Sequence, residues 1–143
     1  MIKFKYHRFS SSLGEMLRPM ADVILEANGQ KVEAFMCIDS GADITMVPMR
    51  FGRALGFRQD PSDKILEIKG VSGGGVPYLI READLFLNGK KLNIRLAWAL
   101  IEEVPLLLGR LDIFPKFKIT FDEKQELITF YSSSSLQLTT CFS

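Results

Sequence analysis

Two Asn-Gly pairs, at 28–29 and 88–89, constrain this chain more than any other feature. Each lies between β-prone runs: V-I-L-E-A and K-V-E-A-F-M-C-I around the first, A-D-L-F-L and K-K-L-N-I-R-L-A-W-A-L around the second. A two-residue hairpin turn that matches the twist of its strands needs positive φ at both central positions. Asn and Gly accept that conformation most readily, so each pair predicts a tight antiparallel hairpin. Two of them imply a mostly β chain.

The segments beyond the two hairpins are also alike. The first outgoing strand runs into Asp39-Ser40-Gly41, then T-M-V-P and a predicted short helix over Met49 to Leu55 that ends near Gly56. The second runs through Trp98 and Pro105 into L-L-L-G-R-L-D-I-F, an apolar strand ending on Gly109 before another short helical signal. Hairpin, apolar strand, glycine turn and helix in the same order suggest an internal two-fold repeat. Between the copies, K-I-L-E-I-K and V-P-Y-L-I flank a tip made of Gly70, Val71, Ser72, Gly73, Gly74 and Gly75. This reads as a long hairpin whose tip is either a mobile element or a plain flexible turn. No Lys-Ser/Thr follows it in the phosphate-loop pattern, so nucleotide binding is discounted. F-K-I-T-F-D-E-K-Q-E-L-I-T-F predicts one more hairpin, turning at Asp122 to Gln125. Residues 1–17 show no clear period and are expected to be an N-terminal arm. The core is placed at 18–131, and the serine-rich stretch 132–143 is either a disordered tail or a strand at a dimer contact.

With 143 residues the chain has the length of one domain. A net charge of +1 offers nucleic acid no electrostatic attraction. Two cysteines, Cys37 and Cys141, make neither a disulfide framework nor a zinc pattern. No apolar run is long enough to span a bilayer and the opening residues lack a signal-peptide core, so no membrane contact and a cytoplasmic address are expected.

The single histidine, His7, leaves Ser-His-Asp and Cys-His chemistry with little to work with, and no metal or cofactor is expected. The residue that stands out is Asp39. In F-M-C-I-D-S-G-A-D it ends an apolar run, where desolvating a carboxylate is costly. Either Asp39 and Ser40 cap a helix, or the carboxylate is kept half-buried for its chemistry. One aspartate is a weak general acid-base, whereas two about 3 Å apart cannot both ionise and so share a proton. A homodimer with Asp39 beside its symmetry mate supplies the second.

The run C-I-D-S-G-A-D, the glycine-rich tip and L-L-L-G-R-L-D-I-F, the first and last about 70 residues apart, together resemble the retropepsins. These are single-lobed, retroviral-type aspartic proteases, and the resemblance covers roughly residues 18–131. It implies an all-β, closed antiparallel barrel with a flap hairpin and one or two short helices, forming half of a two-fold dimer. It implies an aspartic endopeptidase that takes an extended polypeptide, with Asp39 catalytic and Ser40 bracing the loops across the dimer axis. Gly41 would permit close approach and meet the substrate backbone, and Ala42 and Asp43 would line the substrate. Arg110, after Gly109, would pair with Asp43 as structural support, and Gly70 to Gly75 would form the flap. The helix at Met49 to Leu55 departs from the viral pattern, though cellular and bacterial relatives have one, and both chain ends are longer. The alternative is a retropepsin-fold dimerisation or peptide-binding module with little or no proteolysis. A further possibility is an inhibitory arm whose removal frees the cleft.

Overall fold

The computed structural model describes residues 1–69 and 74–132. Both Asn-Gly pairs turn hairpins. Asn28 and Gly29 have φ of 51° and 73°, Asn88 and Gly89 46° and 88°, the signs that a type I′ turn requires. The first joins β2 (Gly14–Ala27) to β3 (Gln30–Ile38), and the second joins β6 (Gly75–Leu87) to β7 (Lys90–Ala99). A third hairpin joins β9 (Phe117–Asp122) to β10 (Leu127–Ser132), with the Asp122 carboxylate accepting the Gln125 N–H across the turn. The remaining strands are β1 (Ile2–Ser11), β4 (Thr45–Val47), β5 (Leu66–Lys69) and β8 (Leu107–Leu108).

The internal repeat is visible in the pairing. β3 pairs in parallel with β8, Cys37 opposite Leu107, and β7 pairs in parallel with β4, Leu96 opposite Thr45. β4 and β8 meet antiparallel at Met46 and Leu107, and β2 and β6 meet antiparallel around Leu25 and Leu85. Exchanging the two copies maps each of these pairings onto another or onto itself, as a two-fold axis inside the chain demands. The β2–β6 pairing also closes the run β6-β7-β4-β8-β3-β2 into a six-stranded barrel. The barrel is mixed rather than wholly antiparallel. The turn after β3 carries the chain across to β7, so β4 arrives beside a strand running its own way.

Alternating side chains of these strands fill the barrel. Leu25, Met36, Leu85, Ile94, Leu96, Leu108 and Trp98 are all at 2% exposure or less. The helix α1 (Met49–Ala54) begins after Pro48, whose missing N–H costs nothing at a helix start, and ends before Gly56 at φ 79°. It lies over Trp98, whose indole N–H donates to the Met49 carbonyl at 3.0 Å. Gly52 makes that contact possible, since a Cβ there would enter the indole ring. The second helical signal is a single 3-10 turn, Phe114–Lys116.

Residues 1–17, expected as an arm, belong to the sheet. β1 pairs with β10 through Ile2 to Lys5 and with β2 through Tyr6 to Ser11, while β2 itself begins at Gly14. The physical reason is amphipathic alternation: in I-K-F-K-Y, Ile2, Phe4 and Tyr6 turn inward, and Phe4 meets Phe130 edge-on at 6.0 Å. Residues 133–143 lie outside the described part, so most of the expected tail is not placed.

Candidate active site

Asp39 is the first residue beyond β3. Its N–H donates to the Leu108 carbonyl at 3.0 Å, which extends the β3–β8 ladder by one rung and sets the carboxylate at the strand's end. The side chain then folds onto its own loop: Oδ1 accepts the Gly41 N–H at 2.9 Å, and the Ala42 N–H donates to the Asp39 carbonyl at 3.2 Å. This is an aspartate-stabilised turn. No helix comes after it, because the chain passes from Asp43 into β4, so the helix-cap alternative is excluded. Asp39 is half-buried, and Ser40 and Gly41 are exposed.

A second segment locks the turn from behind. Thr45, fully buried, accepts the Gly109 N–H on its hydroxyl at 3.0 Å. The next two amides, of Arg110 and Leu111, donate to the Ala42 and Asp43 carbonyls at 2.9 Å each. Two successive amides of the L-L-L-G-R-L-D segment therefore hold the Ala42–Asp43 end of D-S-G-A-D, and the Gly109 amide holds Thr45 just beyond it. Gly109 is required for proximity, since a Cβ there would strike the Ile44 carbonyl and lie 2.8 Å from the Thr45 nitrogen.

The expected Arg110–Asp43 ion pair is not formed within the chain. The Arg110 guanidinium instead donates to the Ser40 carbonyl at 3.2 Å and lies 5.0 Å from the centre of the Phe114 ring. The 3-10 turn brings Phe114 up beneath the arginine, and cation–π attraction plus a carbonyl acceptor direct the side chain there. Asp43 and Arg110 do share the rim of one open groove of about 550 Å³ beside the turn. Phe114, Phe117, Ile119 and Phe121 form its apolar side.

Cys37, two residues before Asp39, has its thiol pKa raised, first by burial and then by the Asp39 charge, with Arg18 opposing. The two arms of the long hairpin pair: β5 meets β6 from Leu66 opposite Tyr78 to Lys69 opposite Gly75. Gly74 and Gly75 are placed, and the tip residues Gly70, Val71, Ser72 and Gly73 lie outside the described part. Among the described residues, no group of three or more His, Cys, Asp or Glu side chains is arranged to hold a metal ion. Nor is any helix of them long and apolar enough to cross a membrane.

Sequence reasoning misses one residue pair beside the site. Asp112, with φ at 65°, receives three hydrogen bonds from Arg95: from its N–H at 2.9 Å, Nε at 2.9 Å and Nη2 at 3.0 Å. The Arg95 bonds hold the Asp112 carboxyl below the ordinary carboxylate range. The partners lie 17 residues apart, and only the strand register that brings β7 beside the Gly109 segment unites them. Sequence offers no local signal for such a pair.

No protein-family model matches the sequence, and no curated protein matches it. Solved structures do match. A retropepsin-like aspartic protease from Rickettsia conorii superposes with a TM-score of 0.61 at 18% identity, over 90% of this chain and 98% of that one. EIAV protease, solved with the inhibitor HBY-793, superposes with a TM-score of 0.51 at 24% identity, over 65% of this chain and 82% of that one. At these identities the likeness is one of fold.

Proposed function

From a chain with the retropepsin fold and one D-S-G turn, we propose a homodimeric aspartic endopeptidase whose cleft lies between two copies. The observation that carries the reading is the placing of Asp39. A half-buried carboxylate ends an apolar strand, and hydrogen bonds from its own loop and from the Gly109–Leu111 segment, to backbone carbonyls and to the Asp39 and Thr45 side chains, hold its turn. Rigid placement is what acid-base catalysis needs, because proton transfer is efficient only at hydrogen-bond distance.

Two Asp39 carboxylates facing each other across a two-fold axis would share one proton, since like charges at that distance disfavour double ionisation. A water between them attacks the peptide carbonyl carbon. The ionised carboxylate takes a proton from that water, and the protonated one gives its proton to the carbonyl oxygen. The gem-diol then collapses with proton transfer to the amide nitrogen and cleavage of the C–N bond, leaving an acid and an amine. Ser40, beside Asp39, would brace one turn against the other. Gly41, Ala42 and Asp43 would meet an extended substrate, and the β5–β6 hairpin, with Gly70 to Gly75, would close over it. No cofactor enters this chemistry. A cytoplasmic setting fits two cysteines in no disulfide framework.

The test is cleavage of a peptide library by wild type and Asp39→Asn, with the mass of the active species measured alongside. The reading expects cleavage by a dimer, an acid-to-neutral pH optimum, and loss of activity in the variant with the dimer retained. A wild-type dimer that binds extended peptides without cutting them would instead assign the fold to binding.

A further inference from the structure

The Asp39 turn is held by the amides of Arg110 and Leu111, the start of β4 after it by the amide of Gly109, and the next residue is Asp112. What secures that strip is its connection to β7. Arg95 faces Glu82 of β6 on one side, and β4 first reaches β7 one residue later, at Leu96 opposite Thr45. The Arg95 N–H therefore emerges where β7 has no strand beside it, and the Asp112 carboxylate accepts it there. The same carboxylate takes the guanidinium in a two-pronged contact, so both its oxygens are engaged.

The backbone is bent to make this possible. Asp112 occupies the left-handed region, and it does so outside any hairpin turn. Aspartate tolerates that conformation better than most residues, yet it remains strained, and the surrounding contacts must maintain it. Directly behind, Ile113 is fully buried and its N–H returns to the Arg110 carbonyl. The strip thus has one charged fastening and one apolar one, with the three donor amides immediately before them.

We propose that Asp112 and Arg95 are positioning residues for Asp39. Their bidentate pair fixes the strip from Gly109 to Leu111, and the strip fixes the turn that carries the carboxylate. The kinetic part of this inference rests on the protease reading, and the structural part rests on the fold alone. Neither residue touches the reacting atoms. Their effect passes through the Ala42 and Asp43 carbonyls to Asp39, so loosening the pair should lower kcat by more than it raises KM, to which the same turn contributes by meeting the substrate.

Two variants test it. Asp112→Asn keeps size and tolerates positive φ but removes the charge. Arg95→Lys keeps the charge but cannot span both oxygens. In each, hydrogen exchange at the Arg110 and Leu111 amides should quicken about tenfold, while amides of the β2–β3 ladder such as Val23 keep their protection. Cleavage should show kcat lowered by about tenfold with a smaller rise in KM, and the double variant should be no worse than the poorer single one. Wild-type protection at Arg110 and Leu111 would overturn the proposal. So would equal acceleration of every amide, which marks a role in global stability only, or faster exchange with kcat unchanged. If the wild-type chain cleaves nothing, the protease reading fails by itself, and the exchange measurement still decides whether the pair holds the turn.

Discussion

At Gly109 the constraint is room. Its φ is not in the left-handed region, so alanine suits the dihedrals, but the added carbon meets the backbone of Ile44 and Thr45, which no rotamer change can clear. Gly109→Ala must push the strip away from the Asp39 turn. We expect a loss of about 1–3 kcal/mol in urea unfolding, the range for overpacked sites. On the protease reading, peptide cleavage should fall further than stability does, because the displaced segment is the one that holds Asp39. Asp63 is held below the ordinary carboxyl range, first by the Arg81 hydrogen bond at 2.8 Å and then by the Asp60 N–H. A folded pKa depressed below the unfolded value of about 3.9 adds stability above that pH and loses it as pH falls through the folded value. Asp63→Asn should therefore lower Tm near neutrality, with the deficit shrinking as the pH is taken below about 4. A deficit that stays constant across that window would show that the charge is not responsible. Among individual residues, the place of Asp39 at a strand's end was legible because a carboxylate closing an apolar run is anomalous in itself. Asp112 was not, since its meaning comes from a partner on another strand. The expected partner of Arg110 failed for a related reason: an aromatic ring brought in by the following turn competes for the guanidinium.

At the scale of elements, the two Asn-Gly turns are alike in dihedrals and unlike in surroundings. Asn28 also donates from Nδ2 to the Leu55 carbonyl at 2.9 Å, tying the first hairpin to the end of α1. Alanine at either asparagine must adopt positive φ, at about 1 kcal/mol. Asn28→Ala additionally leaves a carbonyl at a helix end without its donor, worth about 0.5–1.5 kcal/mol more. Urea midpoints should fall for both variants and clearly further for Asn28→Ala. Equal losses would mean that the bond to α1 contributes nothing net. These turns were readable because their requirement is local to two residues. The parallel β3–β8 and β4–β7 pairings were not readable, because β8 spans only Leu107–Leu108 and β4 only Thr45–Val47. Such short strands carry no period of their own, and their partners are assigned by the crossing of the two copies.

For the whole molecule, the order of hairpin, strand, turn and helix in two copies was enough to suggest an internal two-fold. It was not enough to show where the first seventeen residues go. Their alternation, I-K-F-K-Y, is a strand signal, but it breaks down at H-R-F-S, and that break suggests an arm. The two readings of the N-terminus predict opposite results from one truncation. An inhibitory arm, once removed, leaves an intact barrel with a freed cleft and a higher rate. A paired strand, once removed, uncovers β10, whose Ile128 and Phe130 are fully buried, and strips the outer edge of β2. Tyr6 goes with it, a buried residue whose backbone N–H donates to the Glu126 carbonyl at 2.9 Å. Exposing two large core side chains costs about 1.5–3 kcal/mol each, a sizeable share of the roughly 5–15 kcal/mol by which a domain is stable. Deleting residues 1–11 should therefore give a chain that unfolds at much lower urea or aggregates, with no gain in cleavage at any concentration. A truncated chain that stays folded and cuts peptides faster than the full one would return those residues to the role of a removable arm. The proposed dimeric site supplies a control that separates the two effects. If each copy supplies one Asp39, the rate per chain of the full-length protein should rise with concentration until association is complete. A truncation that merely weakens dimerisation recovers its rate at high concentration, whereas one that breaks the β1–β10 ladder does not.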